Sequence, residues 1–243
     1  MARTGLFTLG GFITPKFYPE SGFVRRFDVQ LFSTHTRDEL SNLWETFNQI
    51  SLSNVLQGGL NFSVRYSYAT EVFLGQRFLT GGFMASGGGQ FARQLNLSVS
   101  YRTGNAIFFS TSPYQGTSNR ATATVTYQPW NQFETNFSFT YSSFYRDADG
   151  FKIYEYPISR FKLTYQLNQY VFFRGITEVN NFRKQLLTDF LASFTYIPGT
   201  VAYLGYGSLY QKLKWENSAY VESSQFLETK RGFFFKMSYL WRM

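Results

Sequence analysis

Apolar and polar side chains alternate residue by residue along much of the chain, the period at which successive side chains of a β-strand point to opposite faces. From Phe233 to Met243, one face carries Phe233, Phe235, Met237, Tyr239, Trp241 and Met243, and the other Phe234, Lys236, Ser238, Leu240 and Arg242. Phe133, Thr135, Phe137, Phe139 and Tyr141 alternate in the same way with Glu134, Asn136, Ser138 and Thr140. Leu60 to Tyr68, Leu95 to Tyr101 and Phe161 to Tyr165 repeat the pattern. It predicts an all-β chain of antiparallel strands.

A soluble sandwich and a membrane barrel both have one apolar and one polar face, so the composition of each face has to separate them. The polar face is mostly Ser, Thr, Asn and Gln with scattered charges, whereas a soluble sheet solvates itself with abundant Lys and Glu. The apolar face is heavily aromatic, and Trp130 and Trp241 fit a bilayer rim, where aromatic rings gather. Gln128 to Asn131, Leu167 to Gln169 and Pro198-Gly199 read as tight turns, while Arg146 to Gly150, Asn180 to Lys184 and Lys214 to Arg231 read as longer polar links. Outer-membrane barrels have this asymmetry between their two rims. Continued along the chain, it gives an antiparallel transmembrane β-barrel of roughly 12 to 14 strands of about 10 residues, with both termini periplasmic.

One segment breaks the pattern. Leu40, Leu43, Trp44 and Phe47 have helical spacing and Thr36 with Glu39 forms a capping box, so residues 37–50 are a candidate amphipathic helix. No fixed-length repeat or linker divides the 243 residues, which read as one domain. Aromatic residues make up 21% and charged residues 16%, against roughly 25% charged in an ordinary soluble domain, which excludes disorder. The mean hydropathy is −0.24, and no apolar run reaches the ~18 residues of a membrane helix. The start, Met1-Ala2-Arg3-Thr4, lacks the features of a secretory signal and reads as a processed chain or part of a longer one.

Without cysteine the chain has no disulfide, thiolate nucleophile or cysteine-ligated zinc. The only histidine, His35, reads as a solvated residue of a loop or strand end; a catalytic role would require a hydroxyl or acidic partner, and Asp38 is close in sequence. Ser86 is followed by Gly87-Gly88-Gly89, but no G-x-S-x-G elbow is formed and the glycines read as a flexible turn. Asp147, Asp149 and Gly150 begin a calcium-loop spacing that no Glu completes, so they read as a hairpin tip. No catalytic residue, metal ligand or cofactor is expected.

Lys and Arg number 23 against 15 Asp and Glu, a net charge of +8. Apart from Arg25-Arg26 and Lys230-Arg231 the basic residues are single and spread, unlike a phosphate-backbone footprint, so no nucleic acid is expected. Arg65, Arg160, Lys162, Arg174, Lys236 and Arg242 fall on the polar face. Inside a barrel they would line the lumen with Glu134 and Glu178, either favouring anionic solutes or sealing the bore as an ion-pair network. Basic residues at loop ends would meet lipopolysaccharide phosphates. The sequons at Asn61, Asn96 and Asn136 lie mid-strand and reflect alternation, not glycosylation.

Several segments carry a family resemblance: Phe17-Tyr18-Pro19-Glu20-Ser21-Gly22-Phe23-Val24-Arg25, Ser159-Arg160-Phe161 to Tyr165-Gln166, Phe173-Arg174-Gly175, and Pro198-Gly199-Thr200 with Tyr203-Leu204-Gly205-Tyr206. From about residue 17 to its end the chain resembles the C-terminal membrane domain of Bacteroidetes-type outer-membrane proteins that carry a family-9-like carbohydrate-binding module ahead of a barrel of unknown function. The resemblance implies an outer-membrane barrel connected with glycan binding or uptake, with the glycan met through the N-terminal module. Family members are longer, and their signal, module and first barrel strands have no counterpart here, so the chain resembles the C-terminal part of such a protein and reads alternatively as a C-terminal fragment of a larger barrel.

The leading expectation is a non-catalytic Gram-negative outer-membrane barrel, acting as an anchor or a narrow, porin-like channel. Phe133, Phe137, Phe139, Phe235, Tyr239 and Trp241 would face lipid, and the alternating C-terminal edge would be read by the barrel-assembly machinery. Two alternatives are an outer-membrane hydrolase using His35 with a loop carboxylate or serine, and a soluble β-barrel with an apolar ligand inside.

Overall fold

A computed structural model describes residues 5–20, 22–39, 41–197, 199–216 and 218–240. The fold is all β. Its strands are β1 (Leu6–Ile13), β2 (Lys16–Phe17), β3 (Val24–Asp38), β4 (Leu43–Leu56), β5 (Asn61–Phe73), β6 (Gln76–Leu79), β7 (Gly82–Ala92) and β8 (Leu95–Phe108). They continue with β9 (Tyr114–Trp130), β10 (Phe133–Arg146), β11 (Lys152–Gln166), β12 (Val171–Asn180), β13 (Gln185–Ile197), β14 (Thr200–Glu216) and β15 (Ala219–Ser238). All join one antiparallel sheet, ordered β1-β3-β4-β5-β7-β8-β9-β10-β11-β12-β13-β14-β15, with β2 beside β3 and β6 beside β5. Among the described residues, thirteen strands lie on the main path. Among the described residues no pairing joins β1 to β15, the first and last strands of this order.

The contacts divide the chain into two compact units. The first takes residues up to Phe91, with Leu97–Ala123 and Tyr141–Glu155; the second takes Ala92–Asn96, Thr124–Thr140 and everything from Tyr156 on. In the first, cross-strand register groups Ile13, Leu31, Ile50, Tyr66 and Phe83 on one face, with Leu52, Val64 and Ala85 beside them. The other face groups Gln49, Ser67 and Gly82, then Ser51, Arg65 and Met84, then Ser53, Ser63 and Ser86. Residues directly opposite on neighbouring strands share a face, so the alternation of each strand adds up to one apolar and one polar surface. In the second unit, Phe161, Leu163, Tyr165, Phe173, Phe190, Leu204, Phe233 and Phe235 share the apolar face.

Among the described residues, buried apolar side chains are few: Ala69, Val72, Phe78, Ile107, Phe144 and Ile176. Most of the apolar face is therefore outside, with Phe233 78%, Phe235 68% and Met237 63% exposed.

Three expectations are corrected. The candidate helix at residues 37–50 is instead the end of β3, a turn and the start of β4. Both flanking strands hydrogen-bond to β4, and Thr36 stands opposite Glu45 with its hydroxyl 3.0 Å from Thr8 Oγ1, so no capping box forms. The helical spacing of Leu43, Trp44 and Phe47 is overridden by strand pairing on two sides; Leu40 lies outside the described residues. The long link from Lys214 to Arg231 is a hairpin, with Glu216 opposite Ala219 and Leu213 opposite Glu222. Its polar residues extend strands whose shifts at Leu209/Tyr210 and Gln211/Leu213 re-aim the pairing. Gly87-Gly88-Gly89 lie inside β7 and form no turn, because that strand needs backbone without side chains.

The β5–β6 turn places both Leu74 (φ +49°) and Gly75 (φ +74°) in the left-handed region, a geometry that favours Asn-Gly. Leu74 is exposed there and carries a steric cost of about 1 kcal/mol. Leu74→Asn is expected to raise stability by about that amount, read as a higher denaturant midpoint with unchanged slope.

Candidate functional site

Two polar constellations stand out, one in each unit. In the second unit the register gathers the basic residues singled out from the sequence. Arg160 stands opposite Glu178, Lys162 opposite Ile176, and Arg174 opposite Thr164 on one side and Leu191 on the other. Asp189 follows on the same face, and Lys236 stands on it opposite Tyr203. Lys162 Nζ pairs with Glu134 Oε1 at 3.2 Å, both side chains about one-third exposed, so the pair adds at most about 1 kcal/mol. This surface is thus a row of cations interrupted by carboxylates, opposite the face that carries Phe161, Phe173, Phe190 and Phe233. Arg65 stands apart in the first unit, on the polar face between Ser51 and Met84. Arg242 and Trp241 lie outside the described residues.

Of the expected lipid-facing residues, Phe133, Phe137 and Phe139 are spaced by two and four on β10 and share one side of it. Phe133 stacks on Trp130 at 5.1 Å between ring centroids. Phe235 and Tyr239 are largely exposed.

The second constellation is on the apolar face of the first unit. Ser33 and His35, two apart on β3, point to the same side, and Asn48 stands opposite Ser33 on β4. Ser33 Oγ lies 3.1 Å from His35 Nε2 and donates to Asn48 Oδ1 at 2.7 Å. The group borders an apolar depression of about 750 Å³ walled by Leu9, Ile13, Leu31, Ile50, Tyr66 and Tyr68. Asp38, the acidic neighbour of His35 in sequence, is on the opposite face by alternation and accepts a hydrogen bond from Ser41. Sequence reasoning singled out His35 but missed Ser33 and Asn48. The Ser-x-His spacing on a strand was the available signal for Ser33; Asn48 enters only through the register. Among the described residues no group of three or more His, Asp or Glu gathers to hold a metal ion.

Compared with protein-family models and with curated proteins, the chain finds no match. The fold and these constellations define its class: an all-β chain of one antiparallel sheet, with an exposed aromatic face and a polar face carrying a charged row.

Proposed function

We propose that this chain is the membrane-embedded β-barrel domain of a bacterial outer-membrane protein, serving as anchor or narrow solute channel and linked, by the resemblance of its sequence, to glycan binding or uptake. The observation that carries this reading is the exposed apolar face. Soluble monomers rarely leave contiguous apolar patches beyond a few hundred Å², whereas here strand after strand exposes Phe, Tyr and Leu. Lipid supplies what covers it.

In lipid, open edges leave backbone groups unsatisfied, so this reading requires β1 and β15 to be paired. The partners that follow are outer-membrane lipid, lipopolysaccharide and the barrel-assembly machinery.

Folded protein in detergent is expected to migrate faster on a gel before boiling than after, and to precipitate when detergent is omitted. Full solubility in plain buffer with no mobility shift would overturn the membrane reading. In planar bilayers, an open bore lined by the charged row is expected to pass anions in preference to cations, and replacing Arg160, Lys162 and Arg174 by Gln is expected to reduce that preference severalfold. A folded, heat-shifting protein without conductance would assign the row to sealing and the domain to anchoring.

A further inference from the structure

We propose that Ser33, His35 and Asn48 form a serine esterase site on the outer wall of the barrel, acting on the ester bonds of long-chain membrane lipids; this rests on the membrane reading for the source of its substrate. Three observations converge on it. First, Ser33 Oγ and His35 Nε2 are 3.1 Å apart, the reach of a nucleophile and its general base. Second, the pair opens on a depression of about 750 Å³ whose walls are almost wholly apolar, the environment for an acyl chain. Third, the pair stands where the face changes character. On one side of Ser33, β3 presents Leu31, Val29 and Phe27 to this face; on the other side of His35 it presents Arg37, opposite Trp44. That boundary between apolar rows and charged or aromatic residues is the depth of the membrane interface, where lipid ester groups lie.

The chemistry balances without a cofactor. The single hydrogen of Ser33 points to Asn48 Oδ1 at rest and must turn to unprotonated His35 Nε2 for attack. Oγ then bonds to the ester carbonyl carbon, its proton passes to Nε2, and the collapsing tetrahedral intermediate expels the alcohol, which takes that proton. Water attacks the acyl-serine, its proton passes through Nε2 back to Ser33, and the fatty acid leaves. The Asn48 amide nitrogen has no hydrogen-bond partner among the described residues and borders the same depression, so it is free to donate to the developing oxyanion. Among the described residues no carboxylate hydrogen-bonds to His35 Nδ1 to orient the ring, and turnover is expected to be slow.

The full chain, in micelles of a detergent without ester bonds, is treated with a long-chain alkyl fluorophosphonate and with its methyl analogue, and adducts are read by intact mass and peptide mapping. The expected result is one adduct, on Ser33, formed at least about tenfold faster by the long-chain reagent and absent from boiled protein. Ser33→Ala abolishes it, and His35→Gln slows it by about 100-fold or more while leaving the gel shift intact. No adduct at Ser33 in wild-type protein with an intact β-sheet spectrum, or equal rates for both reagents, would overturn the proposal. Gel shift and solubility are recorded on the same samples: labelled Ser33 in protein soluble without detergent sinks the membrane reading and the lipid assignment with it, while a heat-shifting protein that takes no label sinks the esterase alone.

Discussion

Gly82→Ala is expected to destabilise the sheet by about 1–3 kcal/mol, and Gly104→Ala by a similar amount, although both sites lie inside strands where alanine is normally tolerated. A Cβ built on Gly82 would stand 2.3 Å from the Thr103 carbonyl oxygen and 2.6 Å from Gly104 Cα. One on Gly104 would stand 2.5 Å from the Gly81 oxygen and 2.7 Å from Gly82 Cα. These neighbours are backbone, so no side-chain rotation relieves the clash and β7 and β8 must separate. Gly88, six residues along β7 on the same side, repeats the arrangement against the Leu97 oxygen at 2.5 Å and Ser98 Cα at 2.9 Å. Interior strand glycines of this kind mark close backbone approach or a tight bend. Because Gly82 and Gly104 wedge the same gap, the double substitution is expected to cost less than the sum of the two singles. Gly232→Ala is the control: nothing lies within 4 Å of its Cβ position, and its effect is expected to stay within about 0.5 kcal/mol. Unfolding midpoints in one detergent, compared across the four variants, check all of this. Full additivity would mean that the two glycines are tight for separate reasons.

The strands were legible in the sequence where alternation was strict. Phe161 to Tyr165 and Phe133 to Tyr141 fall in β11 and β10, and the charged residues between the aromatic ones share a face as the period requires. Side-chain direction along one strand is local information. Partnership across strands is not, since it depends on register, and a slip of one residue reverses every face. For this reason Arg160 opposite Glu178 was legible only as two residues on one kind of face, and Asn48 beside Ser33 not at all. At residues 37–50 the local signal pointed the wrong way. Leu43, Trp44 and Phe47 satisfy a helical stripe by coincidence, while β4 follows the pairing demands of β3 and β5. The glycine triplet misled for a related reason. Glycine is the residue of turns, but also of strands that approach too closely for a Cβ, and only the distances tell these apart.

The two faces of the sheet also impose different tolerances. On the apolar face of the second unit, Phe233 and Phe235 are exposed, and their removal changes what the protein offers to lipid more than how its strands hold together. Polar groups on such a face stand out by contrast. Ser33 links His35 and Asn48 by hydrogen bonds at the border of an apolar surface, and that placement, more than any motif, is what separates them from the many serines and asparagines of the polar face.

Phe144→Ala is expected to be the most destabilising truncation in the first unit, at about 3–5 kcal/mol, a large part of the 5–15 kcal/mol that holds a typical domain together. The ring is 2% exposed, unlike almost every other aromatic residue of the chain. It stacks on Tyr154 with centroids 5.7 Å apart and meets Phe108 at 5.7 Å and Tyr114 at 6.4 Å, so four strands, β8 to β11, contribute to one aromatic cluster. Phe108 and Tyr114 stack on each other at 4.8 Å, and the Arg146 guanidinium caps Tyr114 at 5.4 Å. Removing the central ring leaves a cavity whose walls are held by separate hydrogen-bonded strands and cannot collapse far. Phe144→Leu, which keeps most of the volume, is expected to recover more than half of the loss. Gly116 provides an internal check. A Cβ there would stand 2.3 Å from Phe144 Cζ but also 2.4 Å from the Tyr145 carbonyl oxygen. Removing the ring clears only the first clash, so Gly116→Ala is expected to remain destabilising in the Phe144→Ala background. Denaturant unfolding of the two singles and the double in one detergent measures the coupling: a double variant as stable as Phe144→Ala alone would show that the ring, and not the backbone of β10, excludes a side chain at residue 116.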